Sequence, residues 1–229
     1  MYSRVIEEEV VTFEASGGLL NAGLVMLDQE TKSYWSIMTE DAIWGKHKGQ
    51  RLQVLPGSQK ITFGQWRDLH PETQVLSAGG TEHAEVNPYD RYFSSPGGFR
   101  GLTASDRRLP DKALLYGLHV DDTPWVIAHA NFDSGAVATV GGRQLFLYRL
   151  DEDSPFQGTA ALWLAEGDQI LKGEDGGWAL ERGGDAHPFD PSTRSFPTSL
   201  DLEAATGFDT YWYIWSLTNP ATQIADVGQ

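Results

Sequence analysis

Read from the N-terminus, apolar positions fall in short runs rather than at sustained helical spacing. Residues 5–13 carry β-branched and aromatic side chains, and Gly17 and Gly18 close the run as a turn signal. Residues 19–27 are apolar nearly throughout, which predicts a strand buried on both faces. The turn composition from Asp28 to Thr31 separates it from a strand over 33–37 that contains Trp35. Short strands are expected over 42–44, 51–55 and 60–62. At Thr62 the grammar changes. Thr62 and Gln65 stand at capping-box spacing, Trp66 and Leu69 follow at helical spacing, and Pro71 stops the run. A short helix over 63–70 is expected, with a return to strand over 73–76.

Residues 77–112 are irregular and rich in Gly, Ser, Pro, Asp and Arg; a loop of this length inside a domain is often functional. From 113 the β pattern resumes, over 113–120, 125–129, 136–140 and 144–149. Gly141 and Gly142 mark a hairpin turn between the last two. Shorter strands are expected over 159–164, 169–171 and 178–180. Residues 207–218 predict a second helix, with Asp209 as its cap and Asn219–Pro220 as its stop, before an extended 222–224.

Two segments answer each other. Trp66, Pro71, Thr73, Gln74 and Val75 align without gaps on Trp215, Pro220, Thr222, Gln223 and Ile224. Upstream, Asp28, Thr31, Lys32, Ser33 and Tyr34 parallel Asp190, Thr193, Arg194, Ser195 and Phe196 in the same order. The pattern predicts a mainly β fold (α+β with few short helices) in which two β units, about 5–76 and 160–225, are each closed by a short helix with its Trp as the plug. The irregular loop 77–112 and a β series over 113–150 would join them in a single domain, 1–229.

Composition narrows the function classes. With 229 residues the chain can bury a sizeable core unaided. Its net charge of −15, from 32 acidic and 17 basic residues, disfavours nucleic acid as a partner, because neutralising phosphates needs clustered Lys and Arg. The absence of cysteine excludes disulfides, a thiol nucleophile and Cys-ligated metal. No nucleotide-binding motif, Gly-x-Ser-x-Gly elbow or His-Glu-x-x-His is present. No run approaches the roughly 18 apolar residues of a membrane helix, so no membrane insertion is expected. Nothing at the N-terminus reads as a signal peptide. A cytoplasmic protein, or the mature or trimmed chain of an exported one, is expected.

The first half also spells a family pattern. Gly18-Leu-Leu-Asn21, Leu24 to Asp28, Thr31-x-Ser33-x-Trp35, Gly49-x-Arg51-Leu52, Thr62-x3-Trp66, Asn87-Pro88-Tyr89-x2-Tyr92 and Arg108-Leu109-Pro110 resemble a family of bacterial and archaeal proteins of unknown function, family 3179. The segment from Tyr211 through Trp215 to Ile224 resembles that family's closing motif. Members usually carry a Cys-Pro-Leu-Cys-like motif upstream of the Gly-Leu-Leu-Asn segment. This chain has no cysteine, so any redox or metal role of those cysteines is not implied here. The resemblance implies a fold and no activity.

Candidate chemistry is sparse. The ligand-binding candidates are Asn21, Trp35, Asp41, Asn87, Tyr89 and Arg91, with Asp28 and Glu40 beside them, polar or amphipathic residues next to apolar strands. Asn21 stands out as an amide inside an apolar run, which must find partners if buried. His83 with Glu85, and His119 with Asp121, have strand spacing that places two weak metal ligands on one face. The acidic runs at 7–9, 151–153 and 174–175 lack the pattern of a calcium loop. Three readings follow. The first is binding of a small polar ligand in a cleft lined by the 77–112 loop. The second is an enzyme using a carboxylate, Tyr89 and His83 or His129; the third is an interaction or structural domain.

Overall fold

The computed structural model describes residues 1–55, 60–77, 89–132, 134–149 and 158–228. The chain is mainly β, as its pattern predicts, with three short α-helices among the described residues. In order, the strands are β1 (Val5–Ile6), β2 (Glu9–Val10), β3 (Phe13–Leu20), β4 (Gly23–Asp28), β5 (Tyr34–Ser36) and β6 (Asp41–Trp44). The helices α1 (Phe63–Leu69) and α2 (Asp90–Ser94) follow. Then come β7 (Leu114–Val120), β8 (Thr123–Ala128), β9 (Ala136–Val140), β10 (Arg143–Tyr148) and β11 (Ala160–Trp163). The remainder is β12 (Gln169–Lys172), β13 (Trp178–Arg182), β14 (Asp185–Pro188), β15 (Gly207–Tyr211), α3 (Trp212–Thr218), β16 (Gln223–Ile224) and β17 (Val227–Gly228).

Three sheets stack. The sheet β11-β10-β9-β17 is buried on both faces, and period-2 alternation along β10 shows how. Leu145 and Leu147 meet Tyr116, Leu118 and Ile127 of the sheet β15-β7-β8-β16. Phe146 and Tyr148 face Leu180, Phe189 and Phe196, beneath the sheet β12-β13-β14. The outer face of β7 carries Leu115 and Gly117 and is covered by α3, whose Trp212, Tyr213 and Trp215 are fully buried. The sheet β3-β4-β5-β6 has its own small core of Trp35, Ala42 and Leu52, shared with Ile6 and Val11.

Among the described residues five hairpins, β1–β2, β3–β4, β7–β8, β9–β10 and β13–β14, turn on two residues that both have positive φ, the geometry that matches strand twist. Glycines supply two of these turns, but Glu7–Glu8 (φ 47° and 70°), Asn21–Ala22 (φ 51° and 65°) and Asp121–Asp122 (φ 48° and 61°) supply the others. The expected single strand over 19–27 is therefore a hairpin bent at Asn21, and Leu19, Leu20 and Leu24 are exposed. Gly17 and Gly18, expected to be a turn, lie within β3 where its register shifts in a bulge. The helix expected from 207 begins only at Trp212, because residues 207–211 pair with β7 as β15. Residues 60–62 and 73–76 form no strand.

The two answering segments share local geometry. Trp66 Nε1 donates to Thr73 Oγ1 at 2.8 Å, and Trp215 Nε1 donates to Thr222 Oγ1 at 2.9 Å. The residue that ends each helix, His70 or Asn219, has nearly the same backbone conformation (φ −131°, ψ 72° and φ −123°, ψ 74°). Upstream, Asp28 N bonds Ser33 O at 3.0 Å and Asp190 N bonds Ser195 O at 2.9 Å, with Lys32 (φ 59°) and Arg194 (φ 57°) both left-handed. The surroundings differ. Trp215 is fully buried over Gly117, whereas Trp66 is 43% exposed and lies against His70. α1 buries none of its residues, so Trp66 plugs no sheet, contrary to expectation.

Candidate functional site

The irregular segment that follows α2 is held down by α3. Ser105 Oγ donates to Ser216 O at 2.7 Å, Trp212 Nε1 to Asp106 O at 2.8 Å, and Arg108 to Thr222 O at 2.7 Å. The buried Tyr213 hydroxyl accepts the amide proton of Phe99 at 3.2 Å and bonds the Tyr92 hydroxyl at 2.8 Å. Burial, reinforced by that bond, pushes the Tyr92 hydroxyl well above its ordinary pKa, so it keeps its proton. Lys112 donates to the carbonyls of Tyr92, Phe93 and Ser95 at the end of α2 and lies over the rings of Tyr92 and Tyr211. A cation at a helix C-terminus satisfies carbonyls that the helix cannot. Gly98 is a close approach: a Cβ there would stand 2.9 Å from the Tyr213 ring and 2.3 Å from Leu102 O.

These contacts frame an outer cleft of about 730 Å³. Leu19 and Ala22 of the β3–β4 hairpin form one side, Tyr89, Arg91, Tyr92, Ser95 and Gly97 to Arg100 the other, and Tyr213 and Ile214 of α3 the floor. Arg91 and Arg100 are its charged residues, and no acidic residue is among its described lining. Arg100 has φ 53°, a strained conformation for a side chain of this type. Its guanidinium lies 5.1 Å from the Phe99 ring centre.

Ala22 and Ile214 also line an inner cavity of about 370 Å³, between β15, the start of β4 and the segment from Ile37 to Glu40. Here Tyr2 Oη lies 3.2 Å from both the Glu40 carboxyl and Ile37 O. Burial raises the Glu40 pKa above the carboxylate norm, outweighing the opposing pull of His119, Tyr2, Arg51 and the amino terminus.

Behind β15 lies a buried pair. His129 Nε2 is 2.7 Å from Asp209 Oδ1, and Thr159 donates its amide (2.8 Å) and hydroxyl (2.6 Å) to the same carboxylate. Burial alone would raise the Asp209 pKa, but the bonds from His129 and Thr159 bring it below its ordinary value. Burial lowers that of His129 despite the carboxylate. An ionised Asp209 accepts a proton bond, so neutral His129 carries its proton on Nε2.

The sequence candidates separate in space. Tyr89 and Arg91 reach the outer cleft. Asn21 sits at the hairpin tip beside it, where Nδ2 donates to Leu217 O (3.1 Å) and meets Thr218 Oγ1 (3.4 Å), the partners its amide needs. Trp35 is fully buried and donates to Asp28, and Asp41 lies in β6 bonded by Thr39; neither lines the cleft. Asn87, His83 and Glu85 lie outside the described residues. His119 lies 3.3 Å from Asn219 Oδ1 and over Trp215, while Asp121 occupies a hairpin turn. Among the described residues no group of three or more His, Asp or Glu could hold a metal ion. Asp209, expected as a helix cap, is instead the partner of His129. Sequence reasoning missed Arg100, Gly98 and Tyr213; Gly97–Gly98 ahead of Phe99 was the available signal for the first two.

The family described as "Protein of unknown function (DUF3179)" matches residues 1–222. No curated protein matches the chain, and no solved structure does.

Proposed function

The chain belongs to the DUF3179 family, and we propose that it binds a small anionic ligand with an apolar or aromatic body in the outer cleft. One observation carries this reading. On a chain with 32 acidic residues, the described lining of the cleft has two arginines and no acid. Its volume suits a small molecule, and aromatic walls with a few placed polar groups are what such sites use. Guanidinium groups pair with planar carboxylates in a fixed fork and also stack on rings. The locked Lys112–Tyr92–Tyr213 frame would let a ligand bind without ordering the loop, which lowers the cost of association.

Calorimetry with benzoate, and with benzamide as its neutral counterpart, tests the reading. Benzoate should bind about tenfold more tightly, the scale of one charge-assisted bond. Arg100→Ala or Arg91→Ala should reduce that preference, as should added salt. Equal binding of the two compounds, or indifference to both substitutions, would reject it.

A second reading, protein interaction, is favoured by α1 and its flank, where Phe63, Trp66, Val75 and Leu76 are exposed together in sequence. Analytical centrifugation of wild-type and Trp66→Ser protein tests it. Concentration-dependent association that the substitution removes would support it, and a monomer at all concentrations would not.

A further inference from the structure

The inner cavity is a different kind of site. We propose that it binds a small apolar amine, with the Glu40 carboxylate as the counter-charge. Its walls are largely apolar, from Ala22, Leu24, Ile37, Met38, Val54 and Phe208. Met1 and Tyr2 also line it, and apart from the Met1 ammonium no cationic group is among its described lining. The Asp209 carboxylate is already engaged by His129 and Thr159, which leaves Glu40 as the carboxylate of the described lining available to a guest.

Glu40 is held in place. Its backbone is left-handed at φ 60°, a conformation a residue of this type adopts at a cost. Its carbonyl accepts from Leu52 N at 2.7 Å. The Tyr2 hydroxyl has one proton for two acceptors, the Glu40 carboxyl and Ile37 O, so it cannot serve both at once. A carboxylate among apolar walls is expensive without a partner, and an alkylammonium group supplies both charge and donors. Its hydrocarbon tail would meet Leu24, Ile37 and Val54. The −15 charge of the chain favours arrival of a cation. His119, Arg51 and the Met1 ammonium act on Glu40 through space, and Tyr2 through its hydroxyl. This site is independent of the anion reading of the outer cleft, because its charge is opposite and its anchor separate.

Ligand-observed NMR with n-pentylamine and n-pentanol on the full chain at neutral pH tests the proposal. The amine should bind about tenfold more tightly than the alcohol. Glu40→Gln should abolish the preference while leaving alcohol binding in place, and acidification that protonates Glu40 should weaken amine binding alone. Should Glu40→Gln fail to fold, Leu24→Trp at the lip of the cavity should block both compounds. Absence of binding, equal binding of amine and alcohol, an amine preference that survives Glu40→Gln, or amine binding unchanged by Leu24→Trp would overturn it.

Discussion

The Trp215 indole lies over Gly117 so closely that a Cβ at position 117 would stand 2.5 Å from the ring. The glycine in the middle of β7 is the seat on which α3 closes, and α3 carries the floor of the outer cleft. Gly117→Ala should therefore cost about 1–3 kcal/mol, the usual price of overpacking. Trp215→Ala should cost about 3–5 kcal/mol, as for other buried aromatics. Trp66→Ala, at the answering position, should cost far less because the ring is exposed. Urea denaturation of the three variants measures this ordering directly.

The hairpin tip predicts a gain. Ala22 holds φ 65°, where a Cβ costs about 1–2 kcal/mol and glycine pays no steric penalty. Allowing for the added chain entropy of glycine, Ala22→Gly should raise stability by about 0.5–1 kcal/mol. A loss of stability in thermal melts would mean that packing of the Ala22 methyl against the α3 core outweighs the relief at its backbone.

The pair His129 and Asp209 predicts a pH dependence. Burial lowers the His129 pKa, so the unfolded chain takes up its proton first as pH falls below about 6.5. Its contribution is thus present above that value and lost below it. Asp209 and Asp28, both lowered, add a second loss below about 3.9. Glu40 acts in the opposite sense, since its raised pKa makes protonation favour the folded state. Comparing His129→Gln with wild type above about pH 5, where Asp28 and Asp209 stay ionised, isolates the histidine. The variant should lose the decline that begins near pH 6.5, and parallel stability curves would refute the assignment.

Lys112 predicts a dynamic effect. It bonds three carbonyls at the end of α2, so Lys112→Met should leave the sheets intact while amides from Tyr92 to Phe99 exchange faster. Unchanged protection in hydrogen exchange would remove Lys112 from the frame of the cleft.

What could be read in the sequence was what short-range chemistry decides. The Thr62–Gln65 capping box forms both its bonds, and Gly141–Gly142 turns the β9–β10 hairpin. The Asn21–Ala22 turn was hidden because Ala rarely takes positive φ, so the flanking leucines looked like one buried strand. Asp209 resembled a cap because Asp favours helix starts, yet β7 offered residues 207–211 a pairing edge that outweighed that local preference. The cleft was legible only on one side. Tyr89 and Arg91 announced themselves within the irregular loop, but Tyr213 lies more than a hundred residues away and meets the loop through a hydroxyl network no spacing reveals.

The central claim is that the outer cleft is a ligand site, and a two-dimensional NMR titration of the isotopically labelled chain with benzoate tests it most directly. Saturable shifts concentrated at Ala22, Tyr92, Gly97 to Arg100 and Tyr213 are expected. Shifts confined to other surfaces, or none at saturating benzoate, would contradict it.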